Sequence, residues 1–381
     1  MIFEALLLIP QEDVPGNLYD VAAQASARAI LFWGGTMEKK IEKEVMEGIL
    51  HRYGFTGNVT EQKSYIHAVE ENGWMKLIFR VTLEDGAMLV IKILHEDDDP
   101  AAELSKVESQ SRFSEQMRSC GIRTPKRYRA EGRYCAELLY KECPCVVTVE
   151  DWCGEEITEI TADIAFEIGE LMARMHLHSL EEGCVIGHRT LFSAAYWNDV
   201  DVFPEFCEIT KDERLDQNVA ARIRSLREEK LGRIRALWGS LPKAAVQGDI
   251  SINNLVHDED GLIVFDYNNA GDEVLISDLV MEGLLTAYEM DLPSGTPVSC
   301  REQLFPAFLK GYLSVRPLNE AEADTAWEVY TLYHGLWFTR IVYNEDSLDS
   351  LVKKGDYEAA NRLLKQMLTD MQEADDRRFR V

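Results

Sequence analysis

Three polar residues, Asp249, Asn254 and Asp266, stand at spacings that can gather hard oxygen ligands in one place. They lie in the run Val246-Gln-Gly-Asp249-Ile-Ser-Ile-Asn-Asn254-Leu-Val and in Asp260-Gly-Leu-Ile-Val-Phe-Asp266-Tyr-Asn-Asn-Ala270-Gly271. The Asp260-Gly261 step between short apolar runs predicts a hairpin that folds Asn254 and Asp266 toward each other. Carboxylate and amide oxygens suit a hard divalent cation such as Mg2+, and a further carboxylate can orient an attacking hydroxyl. The set fits phosphoryl transfer, with Asp249 at the hydroxyl and Asn254 and Asp266 on the metal. Far upstream, Lys92 sits in Val90-Ile-Lys-Ile-Leu94, a strand otherwise fit for burial. A lysine there needs an anionic partner.

The elements that must position these residues are legible from periodicity. Tyr65 to Val69, Leu77 to Leu83 and Met88 to Leu94 are β-branched or aromatic runs, and the latter two flank an Asp85-Gly86 turn. An acidic loop then leads into a helix expected to end near Gly121, with strand-like stretches at 134–140 and 145–149. After Gly154 the pattern changes to helical stripes, over Ile164 to His178, Asn218 to Trp238 and Ala321 to Tyr343, around a β-rich island from Ala244 to Phe265. Strands first and helices later predict an α+β architecture.

The 246–279 segment resembles the catalytic and metal-binding motifs of the aminoglycoside phosphotransferase and choline kinase superfamily, H-G-D-x-x-x-x-N followed by an apolar strand ending in I-D. Gly248, Asp249, Asn254 and Asp266 match it, as do the later Ala270-Gly271 and Asp278-Leu279 steps. One position departs, because Gln247 stands where the family has His. The resemblance implies a bilobal kinase-like fold, with a small antiparallel-sheet N-lobe and a larger, mainly helical C-lobe. It implies ATP and Mg2+ as cofactors and transfer of the γ-phosphate to a hydroxyl of a small molecule. Lys92 would then hold the ATP phosphates and pair with a helix glutamate, Glu108 or alternatively Glu103. Gly73 would belong to the nucleotide loop, and backbone groups of the linker-like Val147 to Gly154 stretch, Glu150 among them, would meet adenine. The alternative is a non-catalytic nucleotide-binding module, which Gln247 favours.

Composition limits the partners. Among 381 residues, 67 Asp and Glu outweigh 40 Lys and Arg, a formal charge of −27. Such a surface repels nucleic acid and anionic lipid and favours a cationic acceptor such as an aminoglycoside or amino alcohol. No apolar run has the length to span a bilayer. The 8 cysteines lack zinc-site spacing and fit reduced thiols in a cytoplasmic protein. The expected division is an upstream extension over 1–36, a nucleotide-binding lobe over 37–150 and a catalytic lobe over 151–381. Trp33-Gly-Gly-Thr-Met37 back-translates to a sequence that can contain a ribosome-binding site, so translation is expected to start at Met37. The first 36 residues carry four acids and one arginine, so that start would leave the charge at −24.

Overall fold

The computed structural model describes residues 41–69, 74–96, 99–198, 201–288, 298–373 and 379. The proposed start at Met37, the 1–36 segment and Gly73 lie outside them. The chain divides into two compact units, one running to Gly154 and the other from Glu155.

The first unit opens with helix α1 (Lys43–Arg52) and builds a five-stranded antiparallel sheet from β1 (Val59–Val69), β2 (Met75–Leu83), β3 (Met88–His95), β4 (Cys135–Tyr140) and β5 (Cys143–Asp151), in the order β1-β2-β3-β5-β4. Strand alternation sorts its residues. Leu77, Phe79 and Val81 of β2, Leu89, Ile91 and Ile93 of β3, and Val147 and Val149 of β5 share one core with Met46, Ile49 and Leu50 of α1. Leu94 and Val146, of the opposite parity, meet Val107 of helix α2 (Pro100–Ser119) in a second, smaller cluster. Lys92 has the parity of Leu94 and so belongs to the α2 side of the sheet. The predicted helix is α2: Asp99 caps it by accepting from Ala101 and Ala102 N–H, Pro100 opens it, and Gly121 follows its end at φ +92°.

The second unit is mainly helical. Helix α3 (Ala162–Glu181) is followed by a small hairpin, β6 (Phe192–Ser193) and β7 (Trp197–Asn198), then α4 (Phe203–Ile209) and α5 (Gln217–Trp238). The predicted β-rich island is two separate two-stranded ladders. β8 (Lys243–Val246) pairs with β11 (Gly271–Val274), and β9 (Leu255–Asp258) pairs with β10 (Gly261–Val264) through the Asp260-Gly261 turn. Helices α6 (Leu275–Tyr288), α7 (Val298–Val315), α8 (Glu320–Gly335), α9 (Phe338–Ile341), α10 (Leu348–Lys354) and α11 (Tyr357–Met371) complete it. The helix expected from Ala321 to Tyr343 breaks after Gly335. There Trp337 turns extended, buries its ring and donates its indole N–H to the Tyr288 carbonyl at 3.3 Å.

Helices α3 and α7 touch backbone to backbone. A Cβ on Gly169 would stand 2.0 Å from the Phe308 carbonyl oxygen, and one on Gly311 would stand 2.0 Å from that of Phe166. Only glycine at both positions permits that approach. It seats a buried chain of polar groups in which His176 Nε2 lies 2.9 Å from Asp278 Oδ2 and Nδ1 lies 2.8 Å from the Tyr312 hydroxyl, which in turn accepts from Arg316 at 3.2 Å. Burial lowers the His176 pKa against the pull of Asp278. The neutral ring therefore donates from Nε2 to Asp278 and accepts the Tyr312 hydroxyl at Nδ1.

Candidate active site

In the second unit, strand β8 delivers the chain into a tight turn at Gly248, φ +75°. A Cβ there would fall 1.9 Å from Thr190 Oγ1 and 2.8 Å from the Asn269 carbonyl oxygen, so the motif glycine is fixed by both conformation and space. Asp249 follows, half-buried. Its Oδ2 accepts from Asn254 Nδ2 at 3.0 Å and from Asn269 Nδ2 at 2.9 Å. The same Asn254 amide nitrogen also donates to the Asp249 carbonyl at 2.8 Å, which closes the loop around a single 3-10 turn at Ile252–Asn254. With Nδ2 spent in this way, Asn254 keeps Oδ1 as its acceptor.

Asp266 leaves β10 at φ 53°, a left-handed conformation that costs a non-glycine residue about 1–2 kcal/mol. Surrounding bonds hold it there. The Asn268 amide donates to its Oδ1 at 3.3 Å, and the buried Gln247 side chain donates to its carbonyl at 2.8 Å. The Gln247 Oε1 accepts the Asp249 N–H at 2.8 Å. One amide side chain thereby ties the Asp249 loop to the Asp266 loop, using its donor on one and its acceptor on the other. Beneath them the fully buried Glu282 of α6 accepts the Ile250 N–H at 2.8 Å.

The structure thus brings Asp249, Asn254 and Asp266 together within one bonded loop system. Asn254 Oδ1 and the Asp266 carboxylate are the hard, anionic-plus-neutral oxygen pair that suits Mg2+, which takes one or two protein ligands and completes its shell from phosphates and water. Among the described residues no group of three His, Cys, Asp or Glu is placed to hold a metal, so an all-protein cage is not what this loop offers. Asn269 and Glu282 escaped the sequence reading. Asn269 lay inside the motif with no role attached, and nothing in the spacing of Glu282 relates it to Ile250.

In the first unit Lys92 is buried, and its Nζ lies 3.2 Å from Glu150 Oε1. Arg127 Nη2 lies 3.2 Å from the other oxygen of Glu150, and Arg127 Nη1 donates to Ser111 at 2.8 Å. Lys92 and Arg127 thus both meet the Glu150 carboxylate in a desolvated place. This corrects one expectation. Glu108 is not the counter-ion of Lys92: its Oε2 accepts the Tyr134 and Cys135 N–H groups at 2.8 and 3.2 Å, and its Oε1 takes Arg112 at 3.1 Å. The alternative, Glu103, is buried and accepts the Glu96 N–H at 2.7 Å. Glu150 belongs to the stretch whose backbone groups the resemblance would set against adenine. It lies opposite Val90 in the β3–β5 ladder and bridges Arg127 on its other side, with its carboxylate turned to Lys92.

A recess of about 680 Å3 opens elsewhere in the second unit, lined by Tyr288, Phe305, Tyr330, His334 and Glu373 among others. The Tyr330 and His334 rings stack with centroids 5.1 Å apart, and the Tyr288 hydroxyl meets His334 Nε2 at 3.0 Å.

No protein-family model matches the sequence, and no curated protein matches it. Solved structures do. The chain is similar to an aminopropanol kinase associated with a microcompartment, at 16% identity and a TM-score of 0.57, over 87% of this chain and 99% of that one. It is similar to an amicoumacin kinase solved in complex with AMP-PNP, Ca2+ and Ami, at 14% identity and a TM-score of 0.55, over 86% of this chain and 96% of that one. An aminoglycoside phosphotransferase from Alicyclobacillus acidocaldarius matches at 11% identity and a TM-score of 0.50, over 88% and 99%. The expected α+β kinase-like fold is the observed one.

Proposed function

We propose that this chain, which has the kinase-like fold of the aminoglycoside phosphotransferase and choline kinase superfamily, is a small-molecule kinase that moves the γ-phosphoryl group of ATP to a hydroxyl. The observation that carries this reading is the loop system in which Gln247, Asn254 and Asn269 hold Asp249 beside the Asp266 turn. Asp249 accepts the acceptor's hydroxyl proton or orients that hydroxyl toward phosphorus. Asn254 and Asp266 hold Mg2+, which when bound neutralises charge on the transferring phosphates. Lys92, which meets Glu150 in a buried cluster, is the group for the nucleotide phosphates. Catalysis in such a site is positioning and charge stabilisation, which is why the loop is so heavily cross-bonded.

The acceptor we favour is an amino alcohol or a larger amine. The formal charge of −27 attracts cations. One structural neighbour acts on aminopropanol, itself an amino alcohol.

The test is acceptor-stimulated ADP release from ATP and Mg2+, screened over amino alcohols, sugars and aminoglycosides. Asp249→Asn is expected to lower turnover by about 10²–10⁴-fold while nucleotide affinity, read by thermal shift, stays within a few-fold. Turnover unchanged by that substitution ends the role given to Asp249. A nucleotide-dependent shift with no stimulated turnover on any acceptor would instead favour a binding module.

A further inference from the structure

On the first unit, α2 and the 129–134 segment line a recess of about 570 Å3 that the kinase reading does not use. Arg112, Arg118 and Arg129 all line it, on a chain whose formal charge is −27. Two carboxylates, Glu108 and Glu115, line it as well, but both serve the backbone behind it. Glu108 takes the Tyr134 and Cys135 amides, and Glu115 Oε1 takes the Arg127 amide at 2.7 Å. Each of these carboxylate side chains is only 13% exposed, whereas their partners Arg112 and Arg118 are 66% and 43% exposed. The accessible wall is therefore the basic one.

Each guanidinium is also pinned along one edge. Arg112 is held through Nε by Glu108 at 3.1 Å, Arg118 through Nε and Nη2 by Glu115, and Arg129 through Nη2 by the Tyr134 hydroxyl at 2.6 Å. The Tyr134 ring lies 4.3 Å from the Arg129 guanidinium carbon. Both terminal nitrogens of Arg112, Nη1 of Arg118, and Nε and Nη1 of Arg129 make no bond to another described residue. Pre-oriented, charged donors with spare N–H groups are what oxyanion recognition requires, and arginine supplies them in a planar fork. A planar monoanionic carboxylate uses one such fork. A phosphoryl dianion, with three terminal oxygens, can use three and can outweigh the two glutamates nearby. The recess is larger than a bare phosphate needs, and Tyr134 offers a ring to whatever the phosphate is attached to.

The geometry points to a binding site for a phosphorylated small molecule, its phosphoryl group on Arg112, Arg118 and Arg129 and its remainder against Tyr134. The site does not depend on the kinase reading. Its test is calorimetric titration of the full chain at low ionic strength with inorganic phosphate and then with glycerol 3-phosphate, using wild type, R112Q/R129Q and K92M. Both ligands are expected to bind saturably, the monoester more tightly. R112Q/R129Q should weaken both by about tenfold or more, and K92M should leave them unchanged. Absence of saturable binding, or equal binding by R112Q/R129Q, overturns the site. Loss of binding in K92M alone assigns the anion to the nucleotide lysine and overturns it too. Inorganic phosphate binding more tightly than the monoester overturns the small-molecule assignment. If the double variant melts early, R112Q alone decides, since that side chain makes only one exposed helical pair.

Discussion

At the scale of single residues, Gln247 governs more than its place in the motif suggests. It joins the Asp249 amide to the Asp266 carbonyl, so Gln247→Ala leaves a buried donor and acceptor unmet, at about 2–4 kcal/mol. Activity is expected to fall at least tenfold in that variant. Gln247→His, which can supply one donor and one acceptor as a neutral ring, should hold activity near wild type at pH 8, as steady-state rates on the identified acceptor would show. Glu273 offers a second residue-level test. Burial lifts its carboxyl from the ordinary 4.5 to about 7, against the favourable Val274 amide and with Asp278 adding to the rise. The folded protein thus binds that proton more tightly than the unfolded chain. The stabilisation is complete below about pH 4.5 and is lost as the pH climbs through 7. Glu273→Gln should raise unfolding free energy by on the order of 2–3 kcal/mol at pH 8 and change little at pH 4.5, as denaturant titrations at both pH values would report. None of this was legible in the sequence for Glu273, because nothing in the residue type betrays that its strand is covered on both faces.

At the scale of elements, the α3–α7 crossing sets how the second unit is assembled. Gly311→Ala would drive a methyl group into the Phe166 carbonyl, and the backbones would have to part. A loss of about 3 kcal/mol or more in urea unfolding is expected, with the His176–Tyr312 bond loosened in the same step. Sequence periodicity found these helices well. Stripes placed α3 over Ile164 to His178 and α5 over Asn218 to Trp238, within a few residues of the observed bounds. Asp85-Gly86 and Asp260-Gly261 gave both hairpins, because glycine after aspartate is a local device that needs no tertiary context. Long-range pairing was another matter. The partner of Lys92 was sought on α2, at Glu108 or alternatively Glu103, while a carboxylate that it meets, Glu150, arrives from a neighbouring strand 58 positions later, together with Arg127. Register between distant strands is set by the whole core and leaves no local mark. The 321–343 stripe was misread for a related reason, since only burial of Trp337 shows that the helix must stop.

For the molecule as a whole, the formal charge of −27 is the property most open to direct test. If the acceptor is a polyamine-like cation, the surface field raises its local concentration. Salt then screens that field over a Debye length of about 10 Å at 0.1 M. Raising ionic strength from about 20 to 500 mM should increase KM for a polycationic acceptor several-fold while kcat changes little. A neutral sugar acceptor would show neither effect, so the same titration separates the two acceptor classes. Composition alone predicted this behaviour. It could not reveal that a recess walled by three arginines interrupts the acidic surface, because Arg112, Arg118 and Arg129 come from a helix and a loop that only folding brings together.

The side chain pinning the Asp249 and Asp266 loops together is a carboxamide, and a carboxamide does not ionise in water near neutrality. An imidazole in that position would take up a proton below about pH 6.5, surrender its lone pair and release the Asp249 amide. With Gln247 in place, the tie between the two loops is indifferent to mild acid.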